Sequence, residues 1–213
     1  MTVSKKNIIQ FTCDSFNKAN NKDTAIWKIA IFFSLALVVV LPSFLIRDFM
    51  LKEQNQNFNF MGNFIEGHII SNTGVGLSIA QGNPTLAYVL QGLSSFVPFF
   101  IFLFSQRKLM DVGALFMFFG GISNFVDRSI YDNFVHLANA PGIIPENAVV
   151  DYWRFGFVNN SFIFNYADLF ISLGIIIIII EFIRILIIFA KEEDKKELIR
   201  KEEKNEKNNK QIN

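Results

Sequence analysis

Cysteine and histidine are nearly absent from this chain of 213 residues, which contains one cysteine, Cys13, and two histidines, His68 and His136. A single cysteine excludes a disulfide within the chain and a metal site built on a cysteine pair. The histidines lie far apart, without metal-ligand spacing around them, so we expect neither a metal nor another cofactor. The formal net charge of +1 gives no indication of nucleic-acid binding.

The composition is instead dominated by apolar runs of Leu, Ile, Phe and Val. Each is about 20 residues long, the length that crosses a hydrocarbon core of ~30 Å. The sequence therefore predicts an α-helical polytopic membrane protein with four transmembrane helices. The predicted spans lie at about 26–46, 86–104, 110–126 and from 164 onward.

The polar segments divide the chain into three parts. Residues 1–25 are predicted to be a cytoplasmic tail, since they lack the pattern of a cleaved signal peptide. Residues 26–190 are predicted to form one four-helix membrane domain. Residues 191–213 alternate Lys and Glu, and we expect them to prolong the fourth helix into the cytosol and then fray.

The positive charges predict the orientation of the spans. Sixteen of the 20 Lys and Arg residues lie on one side: five up to Lys28, two at 107–108, and nine from Arg184 onward. The other four flank or lie within the two long connections. This bias predicts cytoplasmic termini and outward-facing connections. The first connection, 53–85, alternates polar and apolar residues before a glycine-rich part, which predicts a small extracytoplasmic β-sheet.

The unusual residues of the spans and connections, almost all of them polar, are predicted to collect at the outer end of the bundle, and none of them at its inner face. Such groups must pair or face a water-filled cavity, and one shared cavity would satisfy them together. Glu181 and Arg184 are interpreted separately, as an i,i+3 pair that snorkels to the inner interface, since Glu181 lies about 20 Å from Asp168 along the helix. The outer residues are Asp48, Lys52, Asn72, Gly74, Asn124, Asp127, Arg128, Asp151, Asn165 and Asp168.

Two pairs of these residues, which lie near the first connection, could also have a purely structural role. Asp48 and Lys52 are four residues apart, so they could be an interfacial ion pair or could help to hold a site. Asn72 and Gly74 could belong only to a turn, because Asn and Gly suit turn conformations. Both alternatives stay open.

Helix ends offer a structural interpretation for the remaining groups. Asp127 and Arg128 could anchor the end of the third span. Asn165 could cap the fourth span, with Asp168 in its first turn, where the helix dipole favours a negative charge. Taken alone, Asp168 fits a capping role better than a catalytic one. A function is indicated only by the combination of these residues.

Five motifs resemble, in order and spacing, those of the lipoprotein signal peptidase (signal peptidase II) family. The resemblance covers about residues 30–185. The motifs are D-F-M-L-K (48–52), N-T-G-V-G-L-S (72–78), G-G-I-S-N-F-V-D-R (120–128), V-V-D-Y (149–152) and F-N-Y-A-D (164–168).

The chain departs from the family pattern in several places. Ser123 replaces a glycine, and the segment Ser129 to Asn147 is much longer than is usual, which puts access to the site in question. We interpret this segment as a lid. Residues of unusual type within the motifs are Phe49, Leu51, Leu77 and Tyr152.

The resemblance implies a membrane aspartic endopeptidase. Such an enzyme removes the signal peptide from prolipoproteins whose lipobox cysteine carries a diacylglyceryl group, and cuts just before that cysteine. Asp151 and Asp168 are implied as the catalytic pair, in which one carboxylate activates water and the other is protonated. The supporting and substrate-binding residues would be Asn72, Gly74, Asn124, Arg128, Asn165, Asp48 and Lys52.

The resemblance also implies partners and a location. The partners are prolipoproteins and membrane lipids, without nucleic acid, metal or cofactor, and we expect a monomer. The location is the bacterial cytoplasmic membrane, with the site at the outer face. Two alternatives remain: a transporter that relays protons through Asp151 and Asp168, and an inactive relative that binds lipoproteins.

Overall fold

Four long helices make up most of the computed structural model. Each contains a stretch long and apolar enough to cross a membrane, which confirms the four predicted spans. The model describes residues 14, 16–18, 20–52, 59–60, 64–75, 79–80, 82–134, 148–158 and 162–212. The helices are α1 (Lys22–Lys52), α2 (Pro84–Phe104), α3 (Lys108–Phe134) and α4 (Tyr166–Ile212).

The helices extend beyond the apolar runs that predicted them. α4 continues through the charged segment as far as Ile212, as the alternation of Lys and Glu predicted. An i,i+4 ion pair between Glu197 and Lys201, 2.7 Å apart, lies on this extension, and such pairs support an exposed helix modestly. α3 includes the first residues of the predicted lid, up to Phe134. Residues 135–147 lie outside the described part of the chain, so the lid stays a hypothesis.

A small antiparallel sheet joins the two long connections in the order β1-β2-β3-β4. Strands in the first connection were predicted, but those in the second were not. The segment V-V-D-Y-W-R-F is rich in β-branched and aromatic residues, and this composition would have indicated a strand. The strands are β1 (Asn59–Phe60), β2 (Ile65–Asn72), β3 (Val149–Phe155) and β4 (Ile163–Phe164).

Phenylalanine packs the interior of the helix bundle as well as its lipid-facing surface. The rings of Phe32 and Phe119 lie 5.0 Å apart, and those of Phe99 and Phe118 lie 4.9 Å apart. These distances are typical of favourable aromatic pairs. Many other large apolar side chains are exposed on the outside of the helices, as expected where lipid replaces water.

Glycine brings α3 and α4 into close contact. A Cβ on Gly174 would lie 2.5 Å from the carbonyl oxygen of Gly113, and a Cβ on Gly120 would lie 2.7 Å from that of Ala167. Lipid tails are as apolar as the helices, so association depends on close packing rather than on the hydrophobic effect. This contact fixes the first turn of α4 against the middle of α3.

Charged side chains are also buried at the end of the bundle where α1 and α3 begin. We call this the opposite end, because it is opposite to the end that carries the sheet. The expectation that no unusual polar residue lies there is wrong. Lys28 is buried and donates to the carbonyl oxygens of Phe102 and Leu103, at 2.6 and 3.1 Å. These carbonyls end α2 and have no partner within the helix, so the lysine satisfies them. Asp111 is fully buried nearby, and its charge faces that of Lys28.

Glu181 is buried within the helix bundle. Its carboxylate lies 2.9 Å from Arg184 Nη1, which confirms the i,i+3 pair, and 3.4 Å from Arg107 Nη1. Only 3% of Glu181 is exposed. The glutamate therefore does not reach solvent as a snorkelling side chain would, and it also pairs with Arg107 from the turn before α3.

Replacing Gly120 by valine should separate α3 from α4. The new side chain meets the backbone of Ala167, which cannot move independently of its helix, so we expect a loss of ~1–3 kcal/mol in the free energy of unfolding. The measurement is reversible unfolding in detergent micelles. Ala30→Val is the control, since Ala30 is exposed on α1. Equal stability of the two variants would contradict the packing.

Candidate active site

The first turn of α4 is closed by two reciprocal hydrogen bonds. Asn165 Oδ1 accepts from the backbone N–H of Asp168 at 3.0 Å, and Asp168 Oδ2 accepts from the backbone N–H of Asn165 at 3.1 Å. This is a capping box, which satisfies N–H groups that the helix leaves free. The structural interpretation of these two residues is therefore confirmed. It does not exclude a second role, because Asp168 has another oxygen.

That other oxygen connects α4 to α3. Asn124 Nδ2 donates to Asp168 Oδ1 at 2.8 Å. Asn124 Oδ1 in turn accepts from Asn165 Nδ2 at 3.1 Å. Asn124 lies one helical turn from Gly120, so the glycine contact between the helices brings the asparagine within reach of the carboxylate.

Asp151 is held by two amide groups in the middle of this network. Asn165 Nδ2 donates to its Oδ1 and Asn72 Nδ2 donates to its Oδ2, each at 2.9 Å. Asn165 therefore donates both to Asp151 and to Asn124, and Asn124 donates to Asp168. The two aspartates that the sequence analysis singled out are joined by a continuous chain of side-chain amides, and Asp151 is 1% exposed.

The sheet sets the position of Asp151. Residue 151 pairs with Ile70, and Val149 pairs with Asn72. Because alternate residues share a face, Asn72 is the diagonal neighbour of Asp151 on the same face. The register shifts by one residue between Gly67 and Ile70. Such a bulge bends a strand and changes the direction of its side chains.

Asn72 and Gly74 form a turn, and Asn72 also contacts Asp151. Asn72 Oδ1 accepts from the backbone N–H of Gly74 at 2.9 Å, which is the turn. The amide nitrogen of Asn72 binds Asp151, as described above. Arg128 Nη1 donates to the carbonyl oxygen of Asn72 at 3.4 Å, and its Nη2 donates to that of Gly74. Arg128 is buried, so it fixes this turn against the end of α3.

Asp48 and Asp127 are at the edge of the network. Asp127 pairs with Arg47 of α1, and Asp48 pairs with the same arginine at 2.8 Å. The Asp48 side chain is 43% exposed, and its contact with the described part of the site runs through this pair. The side chain of Lys52 lies outside the described residues, so its pairing with Asp48 stays a prediction. Arg47 pairs with both of these aspartates but does not belong to the motifs, so the sequence did not point to it.

Tyr152 makes a hydrogen bond that phenylalanine, the residue usual at this position in the family pattern, could not make. Its hydroxyl oxygen accepts from the backbone N–H of Tyr166 at 3.0 Å, and a phenylalanine would offer no acceptor. Tyr166 is the first residue of α4, where N–H groups lack partners within the helix. Burial raises the pKa of the Tyr152 hydroxyl, so it stays neutral at any working pH.

The surroundings of Asp151 favour its protonated form. Burial, and secondly the charge of Asp168, raise the pKa of Asp151 to about 7. The hydrogen bonds from Asn72 and Asn165 and the charge of Arg128 oppose this shift. Asp151 therefore keeps its proton to a higher pH than an exposed carboxyl group does. Two carboxyl groups that interact in this way can share one proton, and one can act as a base while the other acts as an acid.

A membrane bundle that holds two such carboxyl groups at one end has the architecture of a membrane aspartic peptidase. Comparison with known proteins then specifies the family. The sequence model described as signal peptidase (SPase) II matches residues 35–184. The chain belongs to the signal peptidase II family.

Two curated relatives support this assignment. A lipoprotein signal peptidase of Malacoplasma penetrans (strain HF-2) is 38% identical over 211 residues, which cover 99% of this chain and 80% of that protein. A lipoprotein signal peptidase of Mycoplasmoides gallisepticum is 34% identical over 196 residues, 92% of this chain and 60% of that protein.

Solved structures share the fold. A structure described as a bacterial membrane enzyme superposes with a TM-score of 0.55 at 20% identity, covering 74% of this chain and 87% of that one. A second, with the same description, gives 0.53 at 22% identity and covers 73% of this chain and 91% of that one. The arrangement of four spans and a small sheet therefore recurs in a solved membrane enzyme.

Replacing Asn72 by alanine should alter the pH dependence of peptide cleavage. Asp151 gains its charge only as the pH rises through about 7, and Asn72 stabilises that charge. A hydrogen bond to a charged group contributes ~1.5–3 kcal/mol, and one pH unit corresponds to ~1.4 kcal/mol. We therefore expect the limb of the kcat/KM profile that reports Asp151 to move upward by about one pH unit.

The control for this change is Asn83→Ala. Asn83 caps the start of α2, where its Oδ1 accepts from the N–H of Leu86 at 3.0 Å. Loss of that cap lowers stability by ~1 kcal/mol and leaves the limb in place. A limb that stays unmoved in Asn72→Ala, or moves equally in both variants, would show that Asn72 does not stabilise the Asp151 charge.

Proposed function

We propose that this protein removes the signal peptide from prolipoproteins that carry a diacylglyceryl-modified cysteine, and cuts before that cysteine. The family membership supports this substrate, as do the names of the curated relatives. The observation that carries the proposal is the chain of amides that joins Asp151 to Asp168. This chain places the two carboxyl groups in one hydrogen-bonded network. Within it, the charge of Asp168 helps to raise the pKa of Asp151.

In the proposed reaction, Asp151 and Asp168 act on one water molecule. The ionised carboxylate takes a proton from water as the water oxygen attacks the scissile carbonyl carbon. The protonated carboxyl group donates its proton to the carbonyl oxygen, so no isolated negative charge develops. The tetrahedral intermediate then breaks its C–N bond. The first carboxyl group gives its proton to the leaving amine, and one hydroxyl of the intermediate returns its proton to the second carboxylate as the carboxylic acid product forms.

The neighbouring residues orient the two carboxyl groups and the substrate backbone. Neutral amides from Asn72, Asn124 and Asn165 fix the carboxyl groups without adding charge. Arg128 is the positive group whose charge faces both aspartates, and it favours the ionised state of the pair. Asp48 is assigned a supporting role through Arg47, and Lys52 a role at the adjacent end of α1.

The position of the site fits a lipid-anchored substrate. Asp168 begins the apolar part of α4, and Asp151 lies on the sheet just beyond it. A diacylglyceryl group places its cysteine at the boundary between the hydrocarbon core and the headgroups. A cleavage site next to that cysteine then lies level with the carboxyl groups, while the acyl chains contact the exposed apolar helix faces.

The orientation follows from the distribution of charge. Lys and Arg concentrate at the opposite end of the bundle and in the tails, which favours cytoplasmic termini and an outer site. We propose that the protein lies in the bacterial cytoplasmic membrane and acts as a monomer, in contact with prolipoproteins and membrane lipids. The alternative of a proton-relaying transporter does not agree with membership of a peptidase family. The alternative of an inactive relative is decided by the experiment below.

Replacing either aspartate by asparagine should abolish cleavage. Asparagine keeps the size of the side chain but can neither accept a proton from water nor donate one as an acid. We expect kcat/KM to fall at least ~100-fold in Asp151→Asn and in Asp168→Asn, the effect typical of a lost acid or base. The assay is release of the signal peptide from a synthetic diacylglyceryl-lipobox substrate in lipid or detergent.

Two controls accompany the assay. Asp194→Asn makes the same chemical change at an exposed residue of α4 and should retain full activity. The same peptide without the diacylglyceryl group tests the substrate class. Failure of the wild type to cleave the lipidated peptide would refute the proposed function, and full activity of either aspartate variant would refute the catalytic pair.

A further inference from the structure

Arg47 is a buried cation that lies outside the motifs and takes no part in the proton transfers of the proposed reaction. It is 6% exposed, and its Nη1 donates to Asp127 Oδ1. Its Nη2 and Nε donate to Asp48 Oδ1, at 2.8 and 3.0 Å, and its guanidinium lies 5.1 Å from the centre of the Phe44 ring. A guanidinium removed from water is costly unless it is paired. The location of Arg47 is therefore determined mainly by Asp127, the buried partner.

Asp127 lies next to the proposed catalytic machinery. It precedes Arg128 in α3 and lies one turn after Asn124, and it is 7% exposed. It also borders a cavity of about 10 Å³ together with Asn124, Asn165 and Tyr152, close to the space that one water molecule occupies. The charged and titratable groups that face Asp127 are Arg47 and Asp48 of α1, Asp168 of α4, Tyr152 of β3, and Arg128 of α3 itself.

We propose that Arg47 is a positioning residue for the peptide hydrolysis, acting through Asp127. It ties α1 to the turn of α3 that carries Asn124 and Arg128, and it neutralises a buried negative charge beside Asp168. The inference rests on the proposed function, since it assigns a residue to that reaction. Arg47 itself has no contact with either catalytic aspartate among the hydrogen bonds and ion pairs described above.

Because Arg47 and Asp127 are charged, an effect on the catalytic pair can be distinguished from a loss of helix packing. If Arg47 is lost, Asp127 loses its buried partner; wherever Asp127 stays ionised, its negative charge close to Asp168 makes ionisation of the catalytic pair harder. If Asp127 is lost, the positive charge of Arg47 is only partly balanced by Asp48, which makes ionisation easier. Charges separated by several ångströms in a protein interior interact strongly enough to move a titration by on the order of one pH unit.

The experiment is the pH dependence of kcat/KM for the diacylglyceryl-lipobox peptide in four variants and the wild type. In Arg47→Met we expect both limbs of the profile to move to higher pH. In Asp127→Asn we expect both to move to lower pH. In the double variant, which restores charge balance, we expect the limbs to return close to their wild-type positions. Arg47→Lys keeps the charge and loses the forked contacts, so its limbs stay while kcat falls a few-fold.

Arg184→Met is the matched control at the opposite end of the bundle. It also removes an arginine from a buried carboxylate, because Arg184 lies 2.9 Å from Glu181, but it lies far from the site. Its profile should not move. A lowered melting temperature together with an unmoved profile is the signature of a purely structural residue.

The outcomes separate this inference from the function on which it rests. If the wild type does not cleave the lipidated peptide, the proposed function fails. If the wild type cleaves, and Arg47→Met and Asp127→Asn lose activity with unmoved limbs, or with limbs that move in the same direction, then Arg47 only holds the helices together and the inference is overturned. Opposite movements that cancel in the double variant establish it. Should Arg47→Met fail to fold, Asp127→Asn is compared with Arg47→Lys. Limbs that move to lower pH in the first variant and stay in the second support the inference, and limbs that stay in both overturn it.

Discussion

A carboxyl group at the boundary of a membrane must be hydrogen-bonded by the protein, and the rest of this site depends on how that is done for Asp168. One of its oxygens accepts from the backbone at the start of α4, and the other accepts from Asn124 of α3. The first contact fixes the side chain relative to its own helix. The second fixes that helix relative to its neighbour. A capping residue thus becomes part of a site because the cap uses only one oxygen.

The second aspartate depends on two elements that come from separate connections. β2 supplies Asn72 and β3 supplies Asp151, and their pairing brings the amide to the carboxylate. Asn165 then joins the sheet to the helices by donating to both sides. The helices can approach closely enough for this only because glycine occupies their contact. The close packing of α3 and α4 and the hydrogen bonds at their ends therefore depend on each other, since a shift of α4 would break the amide chain.

The sequence allowed the spans, the motif residues and the family to be predicted, because apolar length and motif spacing are local properties. It was less informative where partners are distant in the chain. Asp127 looked like the end of α3, but its partner is Arg47, 80 residues earlier. Glu181 was paired in sequence only with Arg184 of its own helix, but Arg107, 74 residues earlier, also pairs with it. Each error concerned which helix faces a charge, and hydrophobic periodicity does not specify that in a chain whose helices are apolar on almost all sides.

By itself, the sequence determined that the chain crosses a membrane four times, that its polar motifs gather near span ends, and that two aspartates belong to those motifs. Run lengths and residue order are enough for these conclusions. Only the tertiary structure decided that the aspartates share one chain of amides, that β3 completes the sheet, and that Asp168 both caps its helix and meets Asn124. These facts depend on distances of about 3 Å between residues far apart in sequence, and such distances are set by helix packing and strand register.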